Sequence, residues 1–405
     1  MPATNVFQNP TFISNEALRR LKNRLVFLKN TRGSEYASRF TDSPKKGETI
    51  SVRLPNQVTT RSGETYTVGN HLERVTTMTT QTTLGVDLEF TNRELMFNAE
   101  RFAERVIEPA MVKLADSIES TALGLAYLGV ANYVGTPGTV PTSLKTYNQA
   151  RAELARAGAP SDGHIMLISP DMSVEGVETG KGLFNPDAIA RQYTSGVMSE
   201  VAGAIPYETN LLPVHTTTFA LAGAVAEVKG AAQIGTTTST SCSLITDGWT
   251  TKPTVGTVIT LEDVYEVNHE TKVSTGRLRK FVITASPALV GDVCTLTIRP
   301  SIITTGAYQN VDAGPADNAD LTIWAASAIV SPQALYYHPE AFLFCTFDQP
   351  TPPNKTCRLV SDPDTGLKIR YIQDWDTSAN KDINRFDVVW AWGLGQTEFA
   401  CRIAS

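Results

Sequence analysis

Several short stretches carry residue types that chemistry uses, and each lacks a part its chemistry needs. Residues 174–183 read VEGVETGKGL, and Gly180-Lys181 hints at a phosphate-binding loop. Such a loop needs a glycine five positions before its second glycine and a Ser or Thr after the lysine. Those positions hold Glu175 and Gly182, so the stretch reads as a surface turn. Asp362-Pro363-Asp364-Thr365-Gly366 begins like a calcium loop but lacks the later carboxylates that would complete the coordination. Asp-Pro and Thr-Gly are turn chemistry instead. Asp374, Asp376 and Asp382 lie close in sequence and read as a solvated loop before a cation site.

The histidines (His71, His164, His215, His269, His338) are isolated, and no two have metal-ligand spacing. His164 with Asp162 or Asp171 would supply the base and the orienting group of a hydrolase. No nucleophile elbow accompanies them. Gly393-Leu394-Gly395 lacks the remainder of a dinucleotide fingerprint. The expectation is a protein that is not an enzyme, with no catalytic, cofactor-binding or metal-binding residue.

Composition points the same way. The 405 residues are 41% hydrophobic and 19% charged, enough to bury real cores. The formal net charge of −6 argues against a surface dominated by Lys and Arg for gripping nucleic acid. Five scattered cysteines (Cys242, Cys294, Cys345, Cys357, Cys401) contain no C-x-x-C and read as free thiols in a reducing compartment. The start, MPATNVFQNPTF, has no charged segment followed by an apolar run, so no secretory signal is expected there.

The elements come next. Residues 1–43 read as an N-terminal arm. An amphipathic helix over 15–29 carries Leu18, Leu21, Leu25 and Leu28, with Ser14 or Asn15 as its cap. Residues 44–83 read as an extended polar hairpin, punctuated by Arg53, Arg61, Glu64, Glu73 and Arg74. It has so little to bury that it needs a partner surface. Residues 84–129 read as a strand over 84–90 followed by a long helix. Thr91-Asn92-Arg93-Glu94 has the form of a capping box, and an apolar stripe runs from Leu95 to Leu125. Continuous to about residue 127, that helix would be roughly 54 Å long. Pro109 predicts a bend near 107–109. Arg105/Glu108 and Lys113/Asp116 have the spacing of intrahelical ion pairs.

Residues 130–215 mix a helix over 143–157, a buried strand over 164–169, a helix over 187–197 and a strand pair around a turn over 201–210. Composition then shifts. Residues 216–332 are rich in Thr, Val, Ala, Ser and Gly, with short strands over 256–261, 264–267, 280–285 and 292–299. This predicts an inserted all-β barrel or sandwich. Residues 333–405 return to strands over 341–347, 367–374, 385–393 and 399–403. The fold class is α+β.

Four stretches, in order, carry a resemblance: LGVDLEFTNRELMFNAERFAERVIEPAMVKLADSIESTAL, VAGAIPYETNLLPVHT, LTIRPSIITTGAYQNVDAGPADNADLTIW and ALYYHPEAFLF. Together with the arm, hairpin and inserted β module, the chain resembles the major capsid (coat) protein of tailed double-stranded DNA bacteriophages. Its pattern is that of the P-twenty-two-like coat proteins with a Hong Kong 97-type fold. The resemblance implies an N-arm, an E-loop hairpin, a spine helix, peripheral and axial domains, and an inserted barrel-like domain. It also implies self-assembly into hexamers and pentamers of an icosahedral shell. The implied partners are a scaffolding protein, a portal protein at one vertex, a decoration protein, and packaged DNA held without sequence specificity. No membrane is implied; the shell would assemble in the host bacterial cytoplasm and end in the virion. Candidate inter-subunit contacts are Arg53, Arg61, Glu64, Glu73 and Arg74. A β-rich carbohydrate-binding or adhesive protein is the alternative, resting on Trp249, Trp324, Trp375, Trp390 and Trp392.

Overall fold

The computed structural model describes residues 10–41, 47–58, 63–64, 72–91, 106–180, 200–353, 356–362, 365–377 and 381–405. The chain divides into two compact units, each assembled from three separate stretches. One comprises Met1–Ile50, Thr77–Ala122 and Phe342–Gly393; the other comprises Ser51–Thr76, Leu123–Ala341 and Leu394–Ser405.

In the first unit the arm helix spans Pro10–Arg24. Proline suits a first helical position because its missing N–H has no intrahelical partner there anyway. The helix therefore begins before Ser14, which is buried inside it and is not the cap the sequence suggested. Leu18, Leu21, Leu25 and Leu28 are all buried, as their spacing requires. The described spine helix spans Glu108–Ala126, preceded by a π-helical turn at Val106 and Ile107. Pro109 is the second residue of this helix and follows the π-helical turn, an irregularity at the place where the proline predicts a bend. The side chain of Thr91 and residues 92–105, Glu94 included, lie outside the described residues.

Arg105, and with it the expected pair with Glu108, lies outside the described residues; described acids of the spine reach the arm helix. Glu108 meets Arg20, and Asp116 accepts from Arg24 at 3.2 Å, both on the arm helix. Glu119 is buried, and one of its oxygens accepts the amides of Val26 and Phe27 at 2.5 and 2.6 Å. Burial pushes this carboxyl up to about 7 against the opposing pull of those amides.

A four-stranded antiparallel sheet runs Thr356–Ser361, Lys368–Asp376, Lys381–Val388, Leu84–Thr91, and the arm helix packs on its first two strands. Asp374, Asp376 and Asp382 sit in this ladder and not in a loop. Asp374 opposes Ile383, Asp376 opposes Lys381, and buried Asp382 accepts from Gln373 at 2.9 Å. A second sheet orders Thr49–Arg53, Val75–Thr80, Trp390–Leu394 and Phe342–Thr346. Beneath the first unit's strands, Phe27, Phe342 and Trp392 form an aromatic triangle with centroids 5.5–5.8 Å apart.

The second unit holds a mixed sheet ordered Tyr133–Val134, Ala400–Ala404, Val330–Tyr337, His164–Ile168, Ala204–Glu208, with Val214–Thr216 pairing the start of Val330–Tyr337. The strand His164–Ile168 is buried at every position. The helix Leu144–Arg156, capped by the Ser143 hydroxyl, packs Tyr147 and Leu154 into a core with Met166, Ile168, Tyr336 and Ile403. The expected surface turn around Gly180 is corrected: Pro170–Gly180 is a helix, started by Pro170 with Asp171 in its first turn. The expected strand pair over 201–210 is one strand, Ala204–Glu208, preceded by a single bridge from Val201 to Ala204.

The Thr- and Val-rich stretch closes a six-stranded barrel. Its order is Cys242–Asp247, Cys294–Arg299, Ser274–Ala285, Val258–Val267, Asp320–Ile323, Ala226–Val228. Two expected strands, 256–261 and 264–267, are a single strand broken by an irregularity in which Asp263 takes φ +55°. Leu244, Ile259, Phe281, Ile283, Leu296 and Ile298 fill the interior. The first and last barrel strands are neighbours, with Ala226 opposite Leu321 and Glu227 opposite Asp320.

Candidate functional site

Of the residues a hydrolase reading would use, His164 is held in structural contacts. His164 is buried, its Nδ1 3.0 Å from the Tyr336 hydroxyl and its Nε2 2.7 Å from the Pro160 carbonyl. Asp162 and Asp171 are exposed. Asp362 accepts the Thr365 amide at 2.9 Å and pairs with Lys22, closing a turn. Among the described residues no three His, Cys, Asp or Glu groups converge for a metal. The five cysteines are free. Trp249, Trp390 and Trp392 are buried and Trp324 stacks on Tyr133, so they form no aromatic platform; Trp375 is exposed.

The polar features worth a functional reading gather elsewhere in the second unit, where the base of the hairpin meets the barrel. Arg53 and Glu73 face solvent and pair at 3.3 Å. Glu64 is exposed, and Arg61 lies outside the described residues. Arg74 turns away from that pair and lays its guanidinium over the Tyr308 ring, 5.1 Å from the centroid. The Tyr308 hydroxyl donates to the Leu72 carbonyl at 2.8 Å and lies 3.3 Å from Asn56 Oδ1. Gln57 reaches His269, with 2.6 Å between Nε2 atoms. One tyrosine on a barrel loop thus holds both strands of the hairpin base.

Beside these contacts opens a cleft of about 340 Å³, lined by Asn56, Gln57, Arg74, His269, Arg299 and Glu398 among others. Arg299 donates to Thr397 Oγ1 at 3.2 Å and to the Gly395 carbonyl at 3.4 Å. Arg279 bridges Glu266 at 2.8 Å and Glu398 at 3.1 Å. Burial works to raise the Glu398 carboxyl, but Arg279, Arg74, His269 and Arg299 outweigh it and hold it below its usual value.

A second buried cation closes the sheet. Arg402 is fully buried, donates to the Gly256 carbonyl at 2.9 Å, and lies between the Tyr127 and Trp324 rings at 5.9 and 5.8 Å. Burial lowers it to about 10. Gly256 takes φ +92°, and a Cβ there would come within 2.9–3.0 Å of Leu128 and Tyr127. Nearby His215 is pushed down to about 4 by burial and then by the Arg402 charge. Neither Arg402 nor the Glu398 cluster was visible as a motif. In FACRIAS the arginine reads as one polar residue in a strand, and only its zero exposure distinguishes it.

The family model described as "P22 coat protein - gene protein 5" matches residues 2–400. No curated protein matches the chain. Among solved structures, one from Mycobacterium phage Che8 is 11% identical, with 94% of this chain and 90% of that chain covered and a TM-score of 0.46. The bacteriophage PhiM1 mature capsid is 10% identical, with coverages of 88% and 82% and a TM-score of 0.44. The capsid of cyanophage P-SCSP1u is 10% identical, with coverages of 94% and 87% and a TM-score of 0.43.

Proposed function

Because the chain belongs to the P22 coat protein family, a family of capsid-forming structural proteins with the Hong Kong 97-type fold, we propose that it builds the hexamers and pentamers of an icosahedral phage head around double-stranded DNA. The observation that carries this reading is the family match over residues 2–400. Physical features support it. Shell contacts must be weak enough singly for errors to dissociate, while many per subunit hold the particle. A polar hairpin with an exposed ion pair, Arg53 and Glu73, suits such contacts because surface pairs contribute little each. We assign Arg53, Arg61, Glu64, Glu73 and Arg74 to contacts between subunits, with Arg74 acting through the hairpin base. Residues 216–332 are the inserted domain on this reading.

A scaffolding protein guides assembly, a portal occupies one vertex, and a decoration protein covers the outer face in this scheme. The net charge of −6 favours DNA held loosely and without sequence preference on the inner face. Assembly takes place in the host bacterial cytoplasm, and the product is the virion shell. Negative-stain imaging of the expressed chain with its scaffold tests the proposal: closed particles or capsomers are expected. A chain that stays monomeric under those conditions overturns it.

A further inference from the structure

The cleft at the hairpin base is lined by Arg74, Arg299 and His269 together with the carboxylates of Glu340 and Glu398. Its volume of about 340 Å³ far exceeds the roughly 10–15 Å³ that one water needs. Arg74, Arg299 and His269 converge there on one carboxylate, Glu398. That carboxylate is already engaged, since its Oε1 takes Arg279 at 3.1 Å. Arg74 Nε is buried with no hydrogen-bond partner among the described residues.

The histidine adds a second donor of the same kind. Where the Gln57 amide nitrogen donates to His269 Nε2, Nδ1 is the ring's remaining nitrogen to act as donor. His269 Nδ1 is also buried without an acceptor; the nearest carboxylate oxygen, on Glu270, is 3.6 Å away. Burial, and then the neighbouring Arg74 charge, lower Arg299 to about 10, as expected when two guanidiniums share too few anions.

We propose that this cleft binds a single oxyanion, with Arg74 and Arg299 as its cations and His269 as a further donor. Guanidinium groups pair with carboxylate and phosphate through matched N–H···O geometry. The anion has two sources, free phosphate or an Asp or Glu side chain of a second copy of the chain. Glu340 and Glu398 in the lining disfavour a dianion and favour the carboxylate. The side-chain source rests on the self-assembly proposed above; the free-ion source does not.

Calorimetric titration of unassembled full-length subunits with inorganic phosphate and with acetate, at constant ionic strength, tests the site. Saturable binding is expected in the wild type, weakened by roughly tenfold or more in Arg74→Gln and partly restored in Arg74→Lys. His269→Ala, which leaves both arginines, is expected to weaken binding by a smaller factor and serves if Arg74→Gln does not fold. No saturable binding in the wild type, or equal binding by wild type and variants, overturns the proposal. Titrating assembled particles separates the sources. Phosphate binding that persists in particles identifies a free ion, and binding that is lost on assembly and regained on dissociation identifies a neighbour's carboxylate. If the wild type forms no particles, the shell reading fails, while the subunit titration still decides the site.

Discussion

The barrel and the hairpin are both Thr-rich antiparallel structures, and they keep apolar surface from water by opposite means. The barrel closes on itself, so every strand has two partners and Leu244, Phe281 and Leu296 are wholly enclosed. The hairpin strands bury only alternate residues, Ile50, Val52, Thr76 and Met78. Val58 and Leu72 remain 77% and 40% exposed. Composition therefore does not separate them; closure does. A closed sheet generates its own core, whereas an open ribbon borrows one, here partly from Tyr308.

The largest test falls on the barrel. Phe281→Ala should lower unfolding stability by about 3–5 kcal/mol, because a fully buried ring leaves a cavity. Denaturant melts measure it; a loss below about 1 kcal/mol would mean the barrel does not depend on its own core.

Acid probes the barrel's attachment next. His215, 3.4 Å from Thr257 at the foot of a barrel strand, has its folded value lowered to about 4. A lowered histidine binds fewer protons folded than unfolded. Its contribution is therefore full above about 6.5 and is lost as pH falls toward 4. His215→Gln should flatten the stability profile in that window, as followed by thermal melts across pH.

Tyr308→Phe removes the hydroxyl that holds the hairpin base and should cost about 1 kcal/mol. Its signature is local: faster proteolysis near residues 54–76, with barrel strands unchanged in hydrogen exchange. Smallest of all, Arg53→Glu should shift stability by under about 1 kcal/mol, since that pair is solvated. Slower particle formation at unchanged melting temperature, read by light scattering, would place the hairpin's value between subunits and not within one.

Local patterns were legible where one segment decides its own fate. The buried strand in HIMLIS, the helix after the 135–142 turn and the four arm leucines all follow from composition and spacing. The helix Pro170–Gly180 was missed because its glycines suggested a turn, while Pro170 at its start outweighed them. The strand pattern alone allowed a barrel or a sandwich, since only register decides; the barrel was expected from the family resemblance, and the strands do close. The cleft was invisible for a stronger reason. Arg74, His269, Arg299 and Glu398 come from positions far apart in sequence, and no periodicity links them.

The pairing of Ala226 with Leu321 has a historical consequence. The chain enters the barrel on Ala226–Val228 and leaves it on Asp320–Ile323, which are paired neighbours, so the two ends of the barrel lie side by side. A module with such close ends can be gained or lost in a single genetic event without prying its host apart. The barrel's close ends suit a module that can be exchanged as a unit, provided the ties that Arg279, Lys280 and Arg299 make to the surrounding chain are kept.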